Sequence, residues 1–305
     1  MNALPDIAGR VLVAGDIMTD IVVKAEGPAV RGSDRRAAIS IVEGGSAANQ
    51  AAWLAACGVP VALFARVGSK DRDAIAARLR AEGVEPLLSD DPVRHSGRLV
   101  TLLDPSGERS FFADRGANLG LSYADLSPHW RANTGLVVLS GYSFFAPEPR
   151  ACVLKMIEAA RQRRLPVVVD AASAGFLAES GGRSFLEWTQ GATLVVANAD
   201  EAALITGMTD PAAQLAALAQ SYPAAVVKSG AEGSHAVVGG EAPVFVAGTA
   251  REAIDTTGAG DAFLAGFISA WREKKPLAQC LHAGNRLGAL AIERIGGRPE
   301  PGLAF

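Results

Sequence analysis

Six short runs of Val, Leu and Ala alternate along the chain with longer segments of helical periodicity. They fall at residues 11–14, 61–65, 136–139, 167–169, 194–196 and 225–227. Apolar runs this short and rich in β-branched residues suit strands buried on both faces, as in a mainly parallel sheet. The helical patterns lie at 47–56, 73–81, 150–163, 212–220, 261–272 and 280–293. Such alternation predicts a layered α/β fold, because helices must cover both faces of the sheet. Two segments, 20–43 and 96–116, break the rhythm and read as extended. Asp104-Pro105-Ser106-Gly107 reads as a turn between strands expected at 99–103 and 108–113. These segments are placed as a small β-lid inserted in a single domain over 1–305.

At 305 residues the chain has ample length for a core, and 29 Lys and Arg against 32 Asp and Glu leave a net charge of −3. Without a basic field, nucleic acid is not an expected partner. Every apolar run is far shorter than the ~20 residues of a membrane crossing, so no membrane is expected either. Residues 1–7 lack the basic start and apolar core of a secretion signal, and no cleavage is expected. Three widely spaced cysteines, Cys57, Cys152 and Cys280, argue against a disulfide framework and for a reducing, cytoplasmic setting. His95, His129, His235 and His282 show no metal-binding spacing. Ser140-Gly141-Tyr142 follows a strand but lacks the Gly-x-Ser-x-Gly of a serine hydrolase.

The chemistry concentrates in Asp255-Thr256-Thr257-Gly258-Ala259-Gly260-Asp261, directly before an apolar helical run. Glycines at a helix start let backbone amides converge, and the helix dipole adds positive potential there. The amides of Gly258, Ala259 and Gly260 thus make an anion hole, with Asp261 placed to take a hydroxyl proton. Read alone, the segment is equally a Gly-rich turn with Asp261 as a helix cap. It matches neither the Walker pattern nor the dinucleotide fingerprint. Gly44-Gly45-Ser46-Ala47-Ala48-Asn49-Gln50 is a second glycine motif, in which amides and a carboxamide suit sugar hydroxyls.

Residues 255–263 resemble the C-terminal signature of the ribokinase-like, or PfkB-type, carbohydrate kinases, and residues 44–50 resemble the family's N-terminal motif. The resemblance covers nearly the whole chain. It implies a ribokinase-like three-layer sandwich with a mainly parallel central sheet and a β-lid. It further implies transfer of the γ-phosphoryl of MgATP to a hydroxymethyl group of a sugar or sugar-like acceptor. Asp20, Gly44, Gly45 and Asn49 would orient the acceptor. Asn198 and Glu201 resemble the Asn-x-x-Glu element that supports Mg²⁺ through water, although the same spacing is a helix capping box. Lys228, Gly230 and Gly233 resemble the nucleotide-binding turn. Asn285 aligns near the adenine, where Ile295-Gly296-Gly297 would complete the wall. Thr257 belongs with the nucleotide contacts, and Asp255 and Thr257 would hold a monovalent cation, K⁺.

The acceptor class stays open. A nucleoside kinase of the same fold is the alternative, and a sugar or nucleotide sensor without turnover is the rival from another class. Met18 stands where ribokinase carries an Asn that contacts ribose. Ser46 stands where some phosphosugar kinases carry Lys, whereas Arg98, Arg109 and Arg115 could pair with a phosphate or carboxylate, or be exposed lid charges. Phe111, Phe112, Phe144 and Phe145 read as core or lid packing. An exposed apolar lid face would pair two copies as a homodimer.

Overall fold

The computed structural model describes residues 4–28, 31–103, 109–126, 130, 132–300 and 302–303. The chain opens with β1 (Arg10–Ala14), β2 (Met18–Ala25), β3 (Ala37–Gly44) and α1 (Ser46–Ala56), followed by β4 (Val61–Gly68), α2 (Arg72–Ala81) and β5 (Val84–Asp91). β6 (Gly97–Leu103) and β7 (Arg109–Asp114) precede β8 (Thr134–Ser140), α3 (Pro147–Gln162) and β9 (Val167–Asp170). Then come α4 (Ala174–Ser180), α5 (Gly182–Trp188), β10 (Leu194–Asn198), α6 (Ala199–Thr206), α7 (Pro211–Leu218) and β11 (Ala224–Lys228). β12 (Gly233–Val238), β13 (Val244–Ala247), α8 (Ala259–Arg272) and α9 (Leu277–Ala291) complete the order.

All six apolar runs lie in one nine-stranded sheet of order β13-β12-β11-β10-β9-β8-β1-β4-β5, parallel except at the β11–β12 and β12–β13 pairs. Strand alternation sends Val11 and Val13 into a core with α1, α2, α8 and α9, and Leu12 and Ala14 into a second core with α3–α7. β8 sits mid-sheet with all seven residues buried. Each fully buried Val or Leu there contributes about 1.5–3 kcal/mol, which explains why a run without polar alternation is tolerated.

The strands that no apolar run announced are those near the sheet edges. β5 carries Pro86 and ends in Asp90 and Asp91, and β12 and β13 pair antiparallel at the other edge. α8 begins at Ala259 with Gly258 as its N-cap, two residues before the pattern predicted, so Asp261 lies in the first turn. Gly258 has φ 75°, and a Cβ there would fall 2.5 Å from the Gly297 backbone, so only glycine starts this helix.

The extended segments form a second sheet, β3-β2-β6-β7. Its register puts Asp20, Leu99 and Ala113 on one face, and Ile21, Ile41, Val100 and Phe112 on the other. The turn at 104–107 and His129 lie outside the described residues. The cysteines are free, and no helix among the described residues is long and apolar enough to cross a membrane.

Candidate active site

Parallel strands end where their last carbonyls and the following helix starts leave polar groups unpaired, and ligand sites form there. Asp16 follows β1, while Ser140, Asp170, Asn198 and Lys228 end β8, β9, β10 and β11. With the inner face of the second sheet and the start of α8, all of these residues but Ser140 line a cavity of about 610 Å³.

Asp261 is buried and held by three donors. Ser46 Oγ donates to its Oδ1 at 2.8 Å, Gln50 Nε2 to the same oxygen at 3.1 Å, and Asn49 Nδ2 to Oδ2 at 3.2 Å. α1 places all three donors, and Ser46 and Gln50 lie one turn apart with Gln50 Nε2 3.0 Å from Ser46 Oγ. Burial raises the Asp261 carboxyl to about 7, with the Asp170 charge adding to the rise and the Ser46 and Asn49 hydrogen bonds opposing it. As a residue of the first helical turn, Asp261 is not the cap; Gly258 is. The first amides of α8 have no intrahelical acceptor. That of Ala259 makes a long 3.3 Å bond to Thr256 O.

Asp170 links this carboxylate to the next strand. Its Oδ1 accepts from Lys228 Nζ at 3.2 Å and its Oδ2 from Gln50 Nε2 at 3.1 Å. Burial alone would push Lys228 down, but the charges of Asp170 and Glu201 outweigh it and raise the ammonium. Lys228 Nζ overhangs the start of α8, 2.9 Å from where a Gly260 Cβ would stand. Asn198 and Glu201 form the full capping box of α6, at 2.8 and 2.9 Å. Glu201 still lines the cavity, its carboxyl raised to about 7 by burial, with Asp170 and Asp200 adding to the rise and Lys228 opposing it.

On the lid side, Asp20 is 6% exposed and its Oδ1 has no hydrogen-bond partner among the described residues. Burial and then the Asp16 charge raise it to about 6. A Cβ on Gly44 would overlap this carboxyl at 2.2 Å, so the glycine makes room for it. Gly45 caps α1, whose first amide, that of Ser46, donates to Asp16 Oδ2 at 3.1 Å. Tyr142 and Phe176 meet edge to face at 6.0 Å and, with Phe111, give the cavity an aromatic side. Phe112 points to the opposite face of the lid, Phe144 is core, and Phe145 stacks on Phe176 at 5.4 Å.

The cavity therefore gathers Asp20, Gly45, Asn49, Asn198, Glu201, Lys228, Thr257, Gly258, Gly260 and Asp261. Its lining does not include Gly44, Ala259, Gly230, Gly233, Asp255 or Asn285. Asn285 Nδ2 donates to the carbonyls of Val246 and Ala247, tying α9 to β13. Gly233 packs against the β13 backbone. The Asp255 carboxylate accepts from the amides of Thr257 and Gly296, at 2.8 and 3.0 Å, and so joins the loop before α8 to the loop after α9. Asp170 and Phe176 were not singled out from the sequence, Gln50 entered only as the end of the 44–50 motif, and Arg115 only as one of three arginines able to pair with a phosphate or carboxylate. Asp170 had a signal, since it is the first polar residue after a buried strand, like Asp16 and Asn198.

A two-sheet α/β architecture with its cavity between the strand ends and a β-lid is the ribokinase fold. A family model described as pfkB family carbohydrate kinase matches residues 8–301, and the chain belongs to that family. Among curated relatives, the bifunctional protein HldE of Caulobacter vibrioides is 30% identical over 95% of this chain and 61% of its own length, so the chain spans about three fifths of that relative. An ATP-dependent ribose-1-phosphate kinase of Halopiger xanaduensis is 29% identical, over 96% and 95% of the two chains. A fructokinase of Escherichia coli is also 29% identical, over 95% and 95%. The crystal structure of adenosine kinase from Sinorhizobium meliloti superposes with TM-score 0.86 at 25% identity, covering 97% and 98% of the chains. A putative ribokinase II from E. coli in complex with ATP and Mg²⁺ gives 0.83 at 21% identity, over 95% and 94%.

Proposed function

We propose that the protein transfers the γ-phosphoryl of MgATP to a hydroxymethyl group of a sugar or sugar-like acceptor, with Asp261 as general base. The observation that carries this reading is a buried carboxylate, raised to about 7, in the first turn of a helix that opens on Gly258-Ala259-Gly260. The acceptor oxygen attacks the γ-phosphorus as its proton passes to Asp261. The new O–P bond forms as the bond to the β–γ bridging oxygen breaks, releasing ADP. Helix-start amides stabilise charge on the transferring group, and Lys228 faces the same space. Asp20, Gly44, Gly45 and Asn49 orient the acceptor; the lid sheet excludes water over it. Lys228, Thr257 and, farther along, Gly230, Gly233 and Asn285 belong to the nucleotide side of this reading.

Magnesium would rest beside Glu201 and Asn198, which line the cavity; burial, with Asp170 and Asp200 adding, raises the Glu201 carboxyl, and a cation there would supply its counter-charge. Among the described residues no three His, Cys, Asp or Glu side chains converge on one point, so the ion would rest on few protein ligands, waters and phosphate oxygens. When bound, it neutralises charge between the β- and γ-phosphates. A K⁺ ion near Asp255 and Thr257 remains part of the proposal.

The test is ADP release with MgATP against ketoses, aldoses, keto-deoxy acids and nucleosides, with K⁺ or tetramethylammonium as the counter-ion. Acceptor-dependent release supports the kinase, and nucleoside preference selects the alternative. ATP binding without turnover on any acceptor would replace it with the sensor reading.

A base acts deprotonated, so kcat/KM falls about tenfold per pH unit below about 7 and is level above it. Asp170→Asn removes a charge that raises Asp261 and releases Lys228 from its partner. Both effects favour the Asp261 carboxylate, so the acid limb moves to lower pH, by roughly one unit. A limb that stays in place in a pH–rate profile separates Asp261 from the proton transfer.

We extend the proposal to a homodimer through the outer lid face, where Ile39, Ile41 and Phe112 are 65%, 69% and 60% exposed along the free edge and opposite strand. Light scattering at micromolar concentration should give a dimer for the wild type and a monomer for Ile41→Asp. A monomeric wild type ends this extension.

A further inference from the structure

The cavity holds two cations, and only one has a carboxylate partner. Lys228 pairs with Asp170, whereas the guanidinium of Arg115 makes no ion pair or hydrogen bond among the described residues. Arg115 is half-buried, and burial holds it below the ordinary arginine value, with the Asp16 charge as the main opposing pull. Asp16 makes no direct ion pair with it; the two Asp16 oxygens accept from the Ser46 amide and the Ser140 hydroxyl. Arg98, by contrast, is exposed on the lid and outside the cavity lining.

The backbone that carries Arg115 is fixed. It follows β7 and caps a 3-10 turn over Gly116–Gly120. The Asp114 carboxylate accepts from the Gly116 amide, and His95 O accepts from Ala117 N at 2.8 Å. Asn118 clasps both backbone groups of Ile17, at 3.0 and 2.9 Å, beside the start of β2. A partly desolvated guanidinium carried on a fixed backbone and lining a cavity favours a planar or tetrahedral anion over a neutral hydroxyl, since charge-assisted bonds are the stronger ones. Arg115, just after β7, and Asp261, in the first turn of α8, line the same cavity.

We infer that the acceptor carries a phosphate or carboxylate group remote from the hydroxyl that is phosphorylated, and that Arg115 is the residue that selects it. The inference rests on the kinase reading. Overall similarity does not decide the matter, because the relatives named for ribose 1-phosphate and for fructose are both 29% identical to this chain.

The test compares kcat/KM for ribose 1-phosphate and fructose 1-phosphate, for 2-keto-3-deoxygluconate, and for ribose, fructose and adenosine. Wild type should prefer one of the anionic acceptors, the phosphate and carboxylate arms telling which. Arg115→Gln should cut the anionic-to-neutral ratio roughly 30-fold, Arg115→Lys should restore part of it, and Arg98→Gln should leave it in place. Preference of the wild type for a neutral acceptor, or a ratio unmoved by Arg115→Gln, overturns the inference while Asp261-dependent ADP release keeps the kinase reading. If no acceptor releases ADP, calorimetric titration of the same compounds still decides. Anion binding lost in Arg115→Gln supports the inference, and equal binding by both proteins overturns it.

Discussion

Replacing Asp261 by Asn lowers kcat roughly a thousandfold while ATP and acceptor affinities change little. The substitution keeps the shape of the side chain and removes the proposed proton acceptor. The surrounding donors can adapt. Oδ1 retains Ser46 and Gln50, and Asn49, whose own Oδ1 has no partner, can turn its amide to accept from the new NH₂ group. The same change should stabilise the fold. A carboxyl raised from 3.8 to about 7 by burial weakens the native state as pH rises between those values, because the unfolded chain releases its proton first. The full difference corresponds to roughly 4 kcal/mol as an upper bound. Asp261→Asn therefore melts with the wild type near pH 4 and several degrees above it at pH 8. Undiminished turnover in the variant would remove Asp261 from the mechanism, and equal melting at both pH values would remove the buried charge.

The second large effect is expected from Gly260→Ala, which separates the anion hole from the fold. A methyl at this position meets only the end of the Lys228 side chain, 2.9 Å from Nζ, and no backbone. As the second residue of α8, alanine should raise helix stability by about 0.5–1 kcal/mol. The methyl would nevertheless stand between Lys228 and the helix-start amides, where the γ-phosphoryl is proposed to pass. We expect kcat/KM for ATP to fall about 100-fold, with melting unchanged or slightly higher. Gly258→Ala provides the contrast, since its positive φ and the Gly297 backbone at 2.5 Å make it lose stability and activity together. If Gly260→Ala turns over as fast as the wild type, phosphoryl transfer does not use the start of α8.

Stability and chemistry pull apart at this site for a physical reason. Asp20, Glu201 and Asp261 are all buried carboxyls raised by desolvation, an arrangement that folding alone would disfavour. Their common position beside one cavity is the mark of a site built to receive charge from a ligand.

Much of this was legible from local patterns. The apolar runs marked the central strands because burial on both faces leaves no polar alternation to confuse, and the glycine motifs marked the two helix starts because only glycine reaches those backbone angles. Asp261 and Asn49 could be selected within glycine motifs, and Asp20 and Glu201 through the resemblance to the kinase family. Pairing across the chain could not. Ser46 and Gln50 meet Asp261 over more than two hundred residues of sequence, and Gln50 also meets Asp170. Asn285 matched the adenine side by resemblance, but its amide donates to β13. β5 was silent because its partly exposed run contains Pro86 and Asp90, β12 because it opens on Gly233-Ser234-His235, and β13 because it is only four residues long.

The sequence by itself thus determined the layered α/β fold, the glycine-capped helix starts and the kinds of chemical group available, since these follow from burial and backbone sterics within a few residues. Tertiary structure alone decided which carboxylates share one cavity, how far burial and Asp170 raise Asp261, and that Arg115 rather than Arg98 turns inward. Those outcomes depend on desolvation and on charges brought together by sheet order, quantities with no local signature along the chain.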